Sequence, residues 1–202
     1  QAFAEIPLAY TTRIDGVSVT ERGAIDLPYT AGGQGPGTFN TEYDGNNLYV
    51  DWTFAPTQPG EVRTFVVEYT VTGGLWIYPD GDLLEWRAVP ADRSGAPVEA
   101  SRVVVTLPPD PATGQPVPAG DLAATSFDWP SEIQIGDGRV VIDSSEPIPD
   151  GLAMLVQVGF PHGIAPAAAH PCPVPEDTPA RESPPLPGAP PSTSAADGPG
   201  RG

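Results

Sequence analysis

An alternation of inward and outward side chains governs the middle of this chain and commits it to β-structure. Phe65, Val67, Tyr69 and Val71 interleave with Val66, Glu68, Thr70 and Thr72, the period of two of a half-buried strand. The period recurs where Leu48, Val50, Trp52 and Phe54 alternate with Tyr49, Asp51 and Thr53. Asp44-Gly45-Asn46-Asn47 ahead of that run is a turn signal. Pro56 to Gly60, between the Leu48 run and a strand over Val62 to Thr72, is short enough to join antiparallel neighbours. Further strands are expected over Val17 to Glu21, Val103 to Leu107, Ala123 to Asp128 and Leu152 to Val158. Around Gly136-Asp137-Gly138, the runs Glu132 to Ile135 and Arg139 to Ile142 predict a hairpin, because Asp-Gly tolerates the positive φ of a type I′ turn.

Short strands separated by Pro and Gly, with no convincing helix and no internal repeat, predict an all-β, antiparallel β-sandwich. Alternation assigns Trp52, Phe65, Val67, Tyr69, Trp86, Val103, Val105, Met154, Val156 and Val158 to a core between two sheets. After Thr72 the segment Leu75-Trp76-Ile77-Tyr78-Pro79 reads as an aromatic turn, followed by Asp82-Leu83-Leu84-Glu85-Trp86 and a polar loop to Pro97-Val98. Residues 109 to 120, rich in Pro and Gly, connect the sheets or form a surface loop.

The order of these segments carries a resemblance. A Tyr-containing strand, the Asp82-Leu83-Leu84-Glu85-Trp86 segment and a strand closing in Leu107-Pro108 succeed one another as in the predicted membrane proteins of domain-of-unknown-function family 2207, the YciQ-like proteins. Phe3-Ala4-Glu5-Ile6-Pro7-Leu8 and Ile14-Asp15-Gly16-Val17-Ser18-Val19 resemble that family's Ile-Pro segment and next strand. Leu152 to Val158 and Phe160-Pro161 with Gly163 resemble its final strand and exit. The likeness covers roughly residues 3 to 163. Ala4 stands where the family usually has Arg, and Arg87 where Asn commonly follows the Trp. The resemblance implies a location on the extracytoplasmic side of a membrane, anchored by segments outside this chain. It also implies that about two strands precede Gln1, so that the sandwich lacks its first strands. It brings no activity with it.

Composition separates a tail from the domain. Residues 165–202 are largely Pro, Ala, Ser and Gly without apolar periodicity, and such a segment buries too little apolar surface to offset the entropy of ordering it. The expected organisation is a β-sandwich domain over 1–164 and a disordered tail over 165–202. The tail reads either as a linker towards a membrane anchor or as the misread end of a GC-rich gene. Acidic residues number 26 against 9 basic ones, all Arg, for a net charge of -17. That balance excludes nucleic acid as a partner and disfavours anionic headgroups, since both need clustered cations. The single cysteine, Cys172, permits no intrachain disulfide.

Few residues suggest chemistry. Asp80, Asp82 and Glu85 crowd one turn and offer oxygen ligands to Ca²⁺, but lack the regular spacing and closing Glu of a calcium loop, so a solvated turn is expected. His162, His170 and Cys172 lack zinc-like spacing and a fourth ligand. Nucleophilic catalysis needs a Ser or Cys, a His and an orienting acid; of the histidines only His162 lies before the tail, and no Gly-x-Ser-x-Gly elbow occurs. No catalytic residue, metal ligand or cofactor is therefore assigned. Trp52 and Trp86 read as core anchors, whereas Trp76 and Trp129, flanked by turn residues, are the candidate ligand contacts.

These readings favour a noncatalytic extracytoplasmic domain of a membrane-anchored protein, serving in binding, sensing or structure, with a protein or glycan at the cell surface as partner. The competing expectation is an exported carbohydrate-active hydrolase using paired carboxylates beside an aromatic platform.

Overall fold

The computed structural model describes residues 1–8, 11–78 and 80–165. The described residues are almost all β, with fourteen strands and one 3₁₀ turn at Ala119–Asp121. The strands are β1 (Ala2–Pro7), β2 (Arg13–Arg22), β3 (Leu27–Pro28), β4 (Thr30–Ala31), β5 (Thr38–Tyr43), β6 (Asn47–Thr53) and β7 (Thr64–Thr72). They continue as β8 (Leu75–Tyr78), β9 (Gly81–Val89), β10 (Arg102–Thr106), β11 (Ala123–Phe127), β12 (Ser131–Gly136), β13 (Arg139–Ser144) and β14 (Met154–Phe160). Pairing is antiparallel throughout except for β4 on β5. The tail beyond Ala165, with His170, Cys172 and Arg181, lies outside the described residues.

Four small sheets form, ordered β1-β6-β5-β4, β3-β2-β7, β11-β14-β9-β8 and β10-β13-β12. The expected single core between two sheets is in fact two cores. Ile6, Ile14, Val19, Tyr29, Phe39, Leu48, Val50 and Trp52 make the first, with Phe65, Val67, Tyr69 and Val71 packed against it. Val89, Val117, Leu122, Val140, Ile142, Ile148, Met154, Val156, Val158, Phe160 and Ile164 make the second, with Val103 and Val105 against it. Trp86 packs on both. The ten expected core residues therefore divide: Trp52, Met154, Val156 and Val158 are buried, and Phe65, Val67, Tyr69, Val103, Val105 and Trp86 are half-buried. The chain passes from the first core to the second at Gly73-Gly74, between β7 and β8.

Local sequence explains most of the strands. In β6 the inward set Leu48, Val50, Trp52 is buried while Asn47, Tyr49, Asp51 and Thr53 are half-exposed. The turn before it is held by Asp44, whose Oδ1 accepts from the backbone N–H of Asn46 (2.9 Å) and Asn47 (2.7 Å). These two bonds stabilise the ionised carboxylate and lower its pKa. In β2 a plain alternation would set Ile14 and Val19 on opposite faces. A bulge between Asp15 and Ser18 inserts the residues that re-phase it, with Gly16 at φ 62° supplying the left-handed conformation. Both Ile14 and Val19 thereby reach the core.

Three expectations are corrected. β7 is not the neighbour of β6: it pairs with β2, and the loop between them crosses from one sheet to the other. The aromatic segment after Thr72 is not a turn but β8, which pairs Leu75↔Leu84 and Tyr78↔Gly81 in a hairpin with β9. The β12–β13 hairpin has the expected register, Gly136↔Arg139, but only Gly138 has positive φ, 63°, so the turn is not type I′. Its tip is fixed from outside. Asp137 Oδ1 accepts from the N–H of Ala119 (2.9 Å), and Gly138 N–H donates to the carbonyl of Val117 (2.7 Å).

Candidate functional site

A concave surface lies where the sandwich of sheets around the first core meets the sandwich of sheets around the second. A groove of about 700 Å³ is lined on one side by residues 1–6, all of β1 but its last residue, and on the other by Trp86, Arg87 and Ala88 of β9. Val67 and Tyr69 of β7 also line it, and the loop from Pro90 to Val98 borders it. Tyr69 and Trp86 lie with ring centroids 6.3 Å apart at an interplanar angle of 32°. Burial of Tyr69 pushes its hydroxyl above the ordinary tyrosine pKa.

The sheets present open edges to this groove. β1 ends its sheet and pairs only with β6. β8 is short and pairs with β9 only from Gly81 to Leu84, whereas the pairing of β9 with β14 runs on to Val89. The loop beyond β9 is organised by Arg93. Its guanidinium donates to the carbonyls of Ala96 (3.1 Å), Leu152 (2.8 Å) and Ile148 (3.2 Å), and to those of Pro90 and Pro149. Asp150 adds bonds to the backbone N–H groups of Arg93 and Gly95. This cation is thus a fastener for the loop. Arg87, by contrast, is exposed.

A second polar centre sits at the other end of β9. Asp82 is buried, and His162 Nδ1, just past β14, lies 2.7 Å from its Oδ1. The expected solvated acidic turn is therefore corrected: Asp82 shares the face of Leu84 and Trp86, opposite Phe160 in the register, and only Asp80 is an exposed turn residue. Glu85 accepts from the side-chain amide of Gln157. The structure thus brings together a His and an orienting acid that the sequence separates widely. Among the described residues no group of three or more His, Cys, Asp and Glu is placed to hold a metal ion.

The two candidate contact residues lie apart from the groove lining. Trp76 is half-buried within β8, opposite Leu83 in the register. Trp129 packs against the second core and its Nε1 donates to the carbonyl of Glu146, 3.1 Å away. A smaller cavity of about 330 Å³ adjoins the first core at Tyr29, Glu21 and Arg63. Its charged groups answer one another: Glu21 accepts from Tyr29 Oη (2.7 Å) and from Arg63 (2.8 Å). Burial, with the bond to Glu21, raises the Tyr29 pKa to about 12.

Residues 4–151 match the family described as predicted membrane protein, domain-of-unknown-function family 2207, N-terminal domain. The chain belongs to this family. The family match takes in the first sandwich from Ala4, the second as far as β13, and the groove lining from Ala4 to Val98, together with Asp82, and ends before β14 and His162. Curated proteins and solved structures gave no match to the chain. Among the described residues no helix is long and apolar enough to cross a membrane. Family 2207 thus identifies the chain as the N-terminal domain of a predicted membrane protein.

Proposed function

We propose that this domain is a noncatalytic extracytoplasmic binding module of a membrane-anchored protein, working through the groove between its two sandwiches. The observation that carries the reading is that groove: an aromatic pair, Tyr69 and Trp86, between two strand edges and beside an exposed cation. Concave surfaces with an apolar lining and a few placed polar groups are the usual seats of ligands. The partner proposed is a protein or glycan at the cell surface. A net charge of -17 supports this against nucleic acid.

Location is tested by placing alkaline phosphatase, which is active only outside the cytoplasm, at the exposed turn around Gly45 of the membrane-embedded protein. The reading expects full reporter activity. An inactive phosphatase, with a cytoplasm-dependent reporter active at the same turn, would put the domain on the opposite side and overturn it.

A further inference from the structure

We infer that the edge of β12 is a dimerisation surface, on which a second copy of this chain lays its own β12 antiparallel and joins two three-stranded sheets into one of six strands. β12 takes no part in the groove lining, so the inference goes beyond the binding-module reading.

Hydrogen bonding supplies the first argument. β12 ends the sheet β10-β13-β12. The N–H of Ser145 donates to the carbonyl of Pro130, and antiparallel bonds recur at every second residue, so Glu132, Gln134 and Gly136 turn their backbone groups to β13. Ile133 and Ile135 turn theirs outward, to no strand among the described residues. The devices that usually blunt an edge are missing: β12 holds no Pro or Lys and pairs with β13 without a bulge over all 6 residues.

Side chains supply the second. Ile133 lies opposite Ile142 and Ile135 opposite Val140, both wholly buried in the second core, so the two isoleucines belong to the core face of their sheet. They nevertheless stay 36% and 40% exposed. On β10, at the other edge of the sheet, Val103 and Val105 pack against the core. The apolar overhang of this sheet is thus on the β12 side.

Self-complementarity names the occupant. A two-fold axis through Gln134 sets Ile133 opposite Ile135 of the second copy, and Ile135 opposite its Ile133, so the outward N–H and C=O groups meet as hydrogen-bonded pairs. Each pairing joins two β-branched side chains on one face. Glu132 falls opposite Gly136, so no acid of β12 meets an acid across the seam. A net charge of -17 per copy still repels at longer range, and salt screens that repulsion.

The test is sedimentation equilibrium of the 202-residue chain in dilute and in concentrated salt, with disulfide trapping to read the register. A monomer–dimer equilibrium is expected, tightening as salt rises. Ile133→Lys combined with Ile135→Lys, with an unchanged circular dichroism spectrum, abolishes it. Gln134 and its copy face each other as a non-hydrogen-bonded pair with Cα atoms about 4.5 Å apart, within disulfide reach. In a Cys172→Ser background, Gln134→Cys therefore oxidises to a covalent dimer. Glu132→Cys, displaced about 13 Å along the strand from its copy, does not. Both positions are exposed, so the trapping disturbs no core residue. A chain that is monomeric at every concentration and salt, a dimer that survives the double Lys variant, or trapping through Glu132→Cys in preference to Gln134→Cys would overturn the inference.

Discussion

Nδ1 of His162 lies 2.7 Å from Oδ1 of Asp82, a carboxylate buried at the end of the second core, although 80 positions separate the two residues. The contact ties the exit of β14 to the start of β9, whose register already sets Asp82 opposite Phe160. A buried carboxylate retains its place only with such a partner, because desolvation without a hydrogen bond is costly.

Removing the acid tests this. Asp82→Ala is expected to lower the unfolding free energy by about 1–3 kcal/mol, since it deletes the bond and leaves a gap at a buried site. Asp80→Ala, in the exposed turn two residues earlier, is expected to shift it by no more than about 0.5 kcal/mol. Urea unfolding of both variants measures the contrast.

How much of this was legible in the sequence depended on whether a segment's signal was local. Leu48, Val50 and Trp52 could be placed from alternation alone because β6 has one buried face. Met154, Val156 and Val158 followed for the same reason. Alternation does not say which sheet a strand joins, so β7 was matched to β6 rather than β2, and two cores were read as one. β8 was missed because its four residues are too few to display a period. The Asp82–His162 pair left one usable signal: Asp82 has the parity of Leu84 and Trp86, which assigns it inward. The groove left none, because it arises from how β1, β7 and β9 come together.

The crossing between the sandwiches is sterically tight. Gly73 has φ 80°, and a Cβ there would lie 2.2 Å from Thr12 Oγ1 and 3.2 Å from the Thr12 backbone nitrogen. Rotation of Thr12 relieves the first contact but not the second. Gly73→Ala is therefore expected to cost about 2–4 kcal/mol, combining left-handed strain with a tight contact to the Thr12 backbone. Gly45→Ala, also at positive φ but with nothing within 4 Å of its Cβ, is expected to cost only about 1 kcal/mol. Thermal unfolding of the two variants tests the difference.

Trp86 joins the two hydrophobic cores, so its loss is expected to act on both. Trp86→Ala should reduce stability by about 3–5 kcal/mol. It should also loosen the coupling between the sandwiches. A single calorimetric transition in the wild type that divides into two in the variant is the expected outcome; an unchanged midpoint would remove Trp86 from its bridging role.

Alkaline stability is expected to depend on Tyr29. Its folded pKa, about 12, lies above the ordinary value of 10, so the stability it contributes is complete below pH 10 and falls as pH rises towards 12. Tyr29→Phe, which cannot ionise, should show a shallower loss over that window. Tyr69, also raised by burial, keeps a residual slope. Urea titrations at intervals from pH 9 to 12 compare the two proteins.

The central claim, a groove between the edges of β1 and β9, is tested most directly by amide hydrogen exchange on the isolated domain, resolved residue by residue. Alternate amides in residues 2–6 and 86–89 should exchange quickly, while those of β6 and β14, paired on both sides, should exchange slowly. Uniformly slow exchange along β1 and residues 86–89 would show that those edges are already covered, and would contradict the account.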